Sequence, residues 1–361
     1  MIAFLLALTI TVTDTQRLSV ALQSNVTIIL ERGVYHVDID LTQDSLTLIG
    51  QSGAILEGNI RWSGANITLR NLEIRQHWST RWQDQTGSVW YGPQLSLSVH
   101  GANAKIIDCY IHDIVNIGLW SDAPDSEFIG NVVQNVGWLG PSNAQGYGHD
   151  LYIQNKTGFK RIKHNVFLPG YGYTVHAYSQ AGWLNNLSFI SNVGVGINPW
   201  LIGGWVPVNN LIMRDNYIFA PTELGYDPTV MNGSALVDHN HIQSVAFKAP
   251  WQDMKFWDNT IGPENTVTVL RNDASERTWL LVQNAAHMPE VWVQGKLPHG
   301  WALLRNLLNP VETTLVQGDA FMLTMDQWSA ATPTSASAPL MNPYPGVGVF
   351  SVETPYRILI P

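Results

Sequence analysis

Four short segments carry most of the side chains in this sequence that could do chemistry. They are Leu95-Ser-Leu-Ser-Val-His100, Ile117-Gly-Leu-Trp-Ser-Asp122, His149-Asp-Leu-Tyr-Ile-Gln154 and Tyr173-Thr-Val-His-Ala-Tyr178. Each alternates apolar and polar residues, as a strand with one buried face does. Leu95, Leu97, Val99, Ile117, Leu119, Leu151, Ile153, Val175 and Ala177 then enter a core. The residues between them point outward and, if the strands stack, form three rows. The rows are Ser96, Gly118, Asp150 and Thr174; then Ser98, Trp120, Tyr152 and His176; then His100, Asp122, Gln154 and Tyr178.

Neighbouring strands lie about 4.8 Å apart, so the rows are expected to gather Asp122, Asp150, Tyr152, His176 and Tyr178 in one patch. His149 stands at its edge. Two carboxyls are what glycoside hydrolysis uses, one as acid and one as base or nucleophile. Repulsion from Asp122 would raise Asp150 and suit it to be the acid. His176 or His149 could tune that proton or serve as a base near neutral pH. Trp120 offers a sugar-stacking face, and His100, Gln154 and Tyr178 offer polar contacts. A lyase with Tyr152 as acid, His176 as base and Gln154 on a uronate carboxylate is the alternative. The rows contain no Arg or Lys to neutralise that carboxylate, which favours a hydrolase. A non-catalytic glycan-binding or surface-structural protein would use the same aromatic and amide side chains.

Weaker signals surround this patch. Asp122, Asp125 and Glu127 are oxygen-rich and could bind calcium, but their spacing matches no metal loop. His112 and Asp113 are expected on another face. An insertion from His77 to Tyr91, with Trp78, Trp82 and Trp90, interrupts the pattern and is expected to wall a groove, with Trp90 as a substrate contact. Trp200 and Trp205 lie in a second, Gly-rich insertion.

What must position these residues is an internal repeat. A phrase of alternating apolar residues, a polar or Gly pair, an Asn or Asp and a second short strand recurs around Asn71, Asp108, Asn131, Asn165, Asn192, Asn216 and Asn259. The spacings are 37, 23, 34, 27, 24 and 43 residues. The shortest fit one coil of three short strands and three bends. Asn suits a bend because it tolerates the left-handed conformation, and stacked amides can bond along the coil axis. One coil cannot bury its own apolar face, so coils must stack. Thr15 to Gln23 reads as an amphipathic helix capping the N-terminal end.

The ladder and its strand phrases resemble the right-handed parallel β-helix proteins of the pectate-lyase-like superfamily, over roughly residues 10 to 262. Gly148-His-Asp-Leu-Tyr-Ile-Gln-Asn155 resembles the "GHGIYxQN" stretch of bacterial β-helix proteins, with Asp150 where Gly is usual. Tyr173-Thr-Val-His-Ala-Tyr178 is similar to their "GIHAY". The resemblance implies an all-β, right-handed parallel β-helix and a carbohydrate-active role, extracellular or periplasmic. It leaves the activity open, because this fold hosts lyases, hydrolases and tailspikes. After Gly262 the phrase stops. Strands are expected at Thr266–Leu270, Thr278–Gln283, Glu290–Val293, Ala302–Arg305, Phe321–Met325 and Gly346–Val352, a small C-terminal β-sandwich. The last of these resembles the closing strand of accessory sandwiches on carbohydrate-active enzymes. The expected domains are thus 1–24 (strand and capping helix, with Ile2–Ile10 readable also as a signal segment), 25–262 (β-helix) and 263–361 (sandwich).

Composition narrows the partners. Charged residues are 13% of the 361, and 19 Lys and Arg face 28 Asp and Glu, for a net charge of −9. No basic run exists, which argues against nucleic acid; the polysaccharide partner is what the outward patch and the resemblance imply. The apolar run Ile2–Ile10 is too short to span a membrane. Cys109 is the only cysteine, so an intrachain disulfide or a Cys-based metal cluster is excluded and no cofactor is expected.

Overall fold

The computed structural model describes residues 8–76, 97–137, 148–168, 170–195 and 198–261, and the backbone of six strands between Thr266 and Pro333. The chain divides into two units, Met1–Ile261 and Gly262–Pro361. The first is a parallel β-solenoid.

Alternation at period two is what builds its walls. The first wall stacks eleven parallel strands, from Leu8–Val12 and Val26–Leu30 to Asn232–Asp238 and Trp251–Trp257. Its inward positions align in register as Ile28, Leu48, Leu69, Ile106, Phe128, Ile162, Phe189, Met213 and Val237, all buried. Each such side chain contributes roughly 1.5–3 kcal/mol on burial, and none could be buried by a single coil. The second wall includes Glu73–Arg75, Tyr110–Ile114, Val132–Val136, Val166–Phe167 and Val193–Val195. The third stacks Leu97–Val99, Leu119–Ser121, Leu151–Ile153, Val175–Ala177 and Trp200–Ile202. Two long strands join these walls. Ala54–Trp62 pairs with both at one end, and Tyr217–Leu224 pairs with both at the other.

A buried asparagine stack runs along the corner between the first and second walls. Each side-chain Nδ2 donates to the next Oδ1: Asn131 to Asn165 (3.0 Å), Asn165 to Asn192 (2.9 Å), Asn192 to Asn216 (3.0 Å), Asn216 to Asn240 (2.8 Å) and Asn240 to Asn259 (2.9 Å). The same nitrogens donate to backbone carbonyls of the preceding coil, such as Ile106, Phe128 and Ile162. The stack departs from expectation in three ways. Asn240 belongs to it and divides the 43-residue gap. Asn71 and Asp108 do not belong. They sit one position earlier, at φ 53° each, where Gly130, His164, Ser191, Asp215, His239 and Asp258 also have positive φ. The left-handed bend is therefore the residue before the stacked Asn, and Leu72 and Cys109 fill the stack's own position in the earlier coils.

At the N-terminal end, the helix is Thr15–Ala21. The Asp14 side chain caps it by accepting from Arg17 N (2.8 Å), and Leu18 and Ala21 are buried. In the second unit, the strands Thr266–Asn272, Thr278–Gln283, Glu290–Leu297, Trp301–Asn306, Thr313–Gln317 and Thr332–Pro333 form one antiparallel sheet in chain order. Phe321–Met325 and Gly346–Val352 lie outside the described residues, and the described strands supply one sheet. Among the described residues no helix is long and apolar enough to cross a membrane.

The stack makes a stability prediction. Asn192→Ala removes the acceptor used by Asn165 N and Nδ2 and the donors to Ile162 O and Asn216 Oδ1. Stranding these buried groups is expected to cost about 3 kcal/mol. Denaturant unfolding of the variant checks it, and a loss below about 1 kcal/mol would contradict a structural role for the stack.

Candidate functional site

The third wall presents its outward side chains as a ladder. Register aligns Arg61, Ser98, Trp120, Tyr152, His176, Leu201 and Glu223 in one row across successive strands. The expected order Ser98, Trp120, Tyr152, His176 is therefore present. Arg61, Leu201 and Glu223 extend it at both ends, so the row does carry an arginine.

Tyr152 and His176 are direct register partners, with ring centroids 5.1 Å apart. His176 is 6% exposed and packed by aromatic rings. Tyr173 stacks on it at 4.7 Å and Tyr178 at 4.8 Å. His149 is buried beneath, 4.3 Å from His176 and stacked at 5.6 Å on Tyr152. Gln154 Nε2 donates to Tyr178 O (3.2 Å) and Tyr152 Oη (3.4 Å). Tyr226 meets Tyr178 edge-on at 5.2 Å, and Trp205 meets Tyr226 at 5.6 Å. Tyr173, Tyr226 and Trp205 were not anticipated as site residues. Their positions lie outside the alternating strands, where face assignment from sequence fails.

The hydrogen bonds fix the tautomers here. Tyr173 N–H donates to His149 Nδ1 (3.2 Å), so the proton of His149 sits on Nε2. His149 Nε2–H then donates to His176 Nδ1 (2.9 Å), which leaves the His176 proton on Nε2. Burial, with His149 beside it, pushes the His176 imidazole down to about 2. His176 is thus a neutral hydrogen-bond donor with its one lone pair already used. That corrects its expected role as a base. His149 belongs under the site rather than at its edge and positions the His176 ring. Burial raises the Tyr152 hydroxyl above the ordinary phenol value, against the Gln154 hydrogen bond that lowers it.

The two aspartates do not meet. Asp122 aligns with Gln154, one residue past the pair Ser121–Ile153, whereas Asp150 precedes Leu151. Four residues of strand and one strand spacing put their Cα atoms about 14 Å apart, and Asp150 is buried where Asp122 is exposed, so the two do not face one substrate as a glycosidase pair does. Asp150 is 1% exposed and Thr174 is equally buried, because the third-wall strands are only three residues long and both precede them. Asp150 packs against Gly170, where an added Cβ would meet its Oδ1. Neither carboxyl oxygen has a hydrogen-bond partner among the described residues. Burial alone raises Asp150 well above the carboxylate range, not repulsion from Asp122.

Asp122 is 46% exposed and takes a hydrogen bond with His100 Nδ1 (2.9 Å). The His100 ring meets Trp120 edge-on at 4.4 Å. Asp125 accepts from Phe159 N and Glu127 pairs with Arg161 and Lys105, so the three expected calcium oxygens face different partners. Among the described residues no group of three His, Cys, Asp or Glu side chains is placed to hold a metal. His112 is on the second wall, between Asp113 Oδ2 (2.8 Å) and Glu73 Oε1 (3.1 Å). Inside the core behind Asp122, Lys160 Nζ donates to Ser121 O (3.1 Å) and Oγ (2.8 Å), and burial pushes its amine down to about 7. Trp90 and the rest of the His77–Tyr91 insertion lie outside the described residues.

Asp150 yields a prediction with a definite sign. Its folded-state pKa is raised, so above the ordinary value of 3.8 the unfolded chain releases a proton that the folded chain keeps. Stability from this group is complete below that value and falls as pH rises towards the raised one. Asp150→Asn should flatten the fall that sets in above about pH 4 in denaturant unfolding. An unchanged slope would show that Asp150 is not held protonated.

Comparison with known proteins adds two distant structural likenesses. No protein-family model and no curated protein matches the chain. The solved structure of Geobacillus virus E2 ORF18 is similar at 14% identity and TM-score 0.38, over 88% of this chain and 72% of that one. The structure of the PL6 family alginate lyase AlyGC is similar at 12% identity and TM-score 0.40, over 74% of this chain and 54% of that one. The chain thus spans about half the length of the alginate lyase structure, and at these values the chemistry rests on the residues themselves.

Proposed function

We propose that the protein is a polysaccharide-active β-solenoid that breaks a uronate-containing chain by β-elimination on its third wall. The observation that carries this reading is the register pair Tyr152–His176 with its protonation pattern. Hydrolysis by two carboxyls lacks its geometry, since the one exposed aspartate of the pair stands alone. Elimination needs a donor to the uronate carboxylate and a group that moves a proton on the same side. His176 Nε2–H, fixed by His149 and neutral at working pH, supplies the donor, as a preorganised dipole aimed at developing negative charge. The Gln154 amide donates to Tyr152 Oη and so favours its phenolate form. Tyr152, in its phenolate form, takes the proton beside the carboxylate and returns it to the departing glycosidic oxygen. Trp120 on one side and Tyr178, Tyr226 and Trp205 on the other offer ring faces for flanking sugars. In this reading the coil is right-handed, the Gly262–Pro361 unit is an accessory sandwich, and the protein works outside the cytoplasm.

The test is ultraviolet absorbance of unsaturated uronates released from a panel of uronate polysaccharides. Tyr152→Phe should lower the rate by about 100-fold or more, the usual worth of a positioned proton-transfer group. The rate should rise with pH into the alkaline range, because burial raises Tyr152 and keeps the phenolate scarce near neutrality. Retained glycan binding with no absorbance in any wild-type digest would replace elimination with a binding role.

A further inference from the structure

We propose that Ser98, His100 and Asp122 form a second catalytic centre on the third wall, a serine nucleophile with its general base, which hydrolyses O-acyl esters carried by a glycan. Ser98 Oγ lies 2.9 Å from His100 Nε2, and His100 Nδ1 lies 2.9 Å from Asp122 Oδ1. These are the contacts a Ser–His–Asp relay requires, with each imidazole nitrogen on its proper partner. The strand geometry produces them directly. Ser98 and His100 are two residues apart and so share one face, and register sets Asp122 beside His100 on the next strand.

The protonation follows from the acceptor. An ionised Asp122 can only accept, so His100 carries its proton on Nδ1 and presents a lone pair on Nε2 to the Ser98 hydroxyl. Trp120, beside Ser98 in the row, meets the His100 ring and limits its rotation. Arg61 flanks Ser98 on the other side. It is exposed, with Asp40 as its register neighbour on the far side, and in the proposed centre its guanidinium faces the oxyanion. Ser98 itself is 3% exposed, with Trp120 and Arg61 as its register neighbours.

The chemistry balances with water as the second reactant. Ser98 Oγ attacks the ester carbonyl as its proton passes to His100 Nε2, and Arg61 faces the oxygen that becomes negative. The tetrahedral centre collapses, the C–O bond to the sugar breaks, and the same proton goes to the departing sugar oxygen. Water then attacks the acyl–Ser98 ester, giving its proton to His100. Collapse releases the carboxylic acid and restores the Ser98 hydroxyl. A single guanidinium in place of paired backbone donors suits an ester, whose carbonyl is more reactive than that of an amide.

Apart from Trp120, this centre uses none of the groups assigned to elimination, and its readout does not depend on chain cleavage. The test combines p-nitrophenyl acetate hydrolysis with a fluorophosphonate probe located by mass spectrometry, on the full-length chain. The probe should label Ser98. Ser98→Ala should lower kcat/KM by about 100-fold or more and abolish the labelling. Asp122→Asn should lower kcat with little change in KM, since it acts through His100. Wild-type hydrolysis no faster than that of Ser98→Ala, or a probe that leaves Ser98 unlabelled, overturns the proposal.

Discussion

The stacked asparagines set the register on which everything else in the solenoid depends. A parallel coil buried on its inner side has no turn that fixes how one rung sits over the next, and a slip of one residue would send every inward side chain outward. The stack removes that freedom, because each Asn amide bonds both to the neighbouring amide and to backbone of the preceding coil. Buried amides left without partners would cost more than the bonds themselves contribute. The slip is therefore penalised at each rung from Asn131 to Asn259. Third-wall residues gain from this although none touches the stack. Trp120, Tyr152 and His176 face one another because their coils are held in step.

Much of this was legible in sequence where strands are regular, and little of it where they end. Alternation assigned Ser98, Trp120, Tyr152 and His176 to one row because all four lie inside strands. It failed at Asp150 and Tyr173, one and two residues ahead of three-residue strands, where the chain is already bending. The repeat phrase located the stack but read two positions as one. Asn71 and Asp108 are polar bend residues that look like stacked asparagines until φ separates them. Asn240 escaped because His241 follows it where the other phrases resume with an apolar residue or Thr.

Side-chain chemistry was the least legible, because it is set by neighbours that no local motif names. His176 reads as a base by residue type. A backbone N–H from Tyr173, passed on through His149, makes it a donor. Asp150 reads as one half of an acid pair, yet burial under Gly170 leaves it raised for a different reason and beyond reach of Asp122. In both cases desolvation decides, and desolvation depends on three-dimensional packing.

His100 and His176 show how far the partner governs the residue. They lie on the same wall, three strands apart and two positions offset along the strand, and each bonds through Nδ1 at 2.9 Å. At His100 the partner is a carboxylate, which accepts. The proton stays on Nδ1 and the Nε2 lone pair is offered to Ser98. At His176 the partner is an imidazole N–H, which donates. The proton is driven to Nε2 and no lone pair is left to offer. Burial sharpens the division, since charge on the enclosed His176 ring is costly. A regular scaffold thus holds two identical side chains in opposite tautomers, one fitted to take a proton and the other to stabilise negative charge. The difference arises from Asp122 and His149, the one residue each histidine leans on.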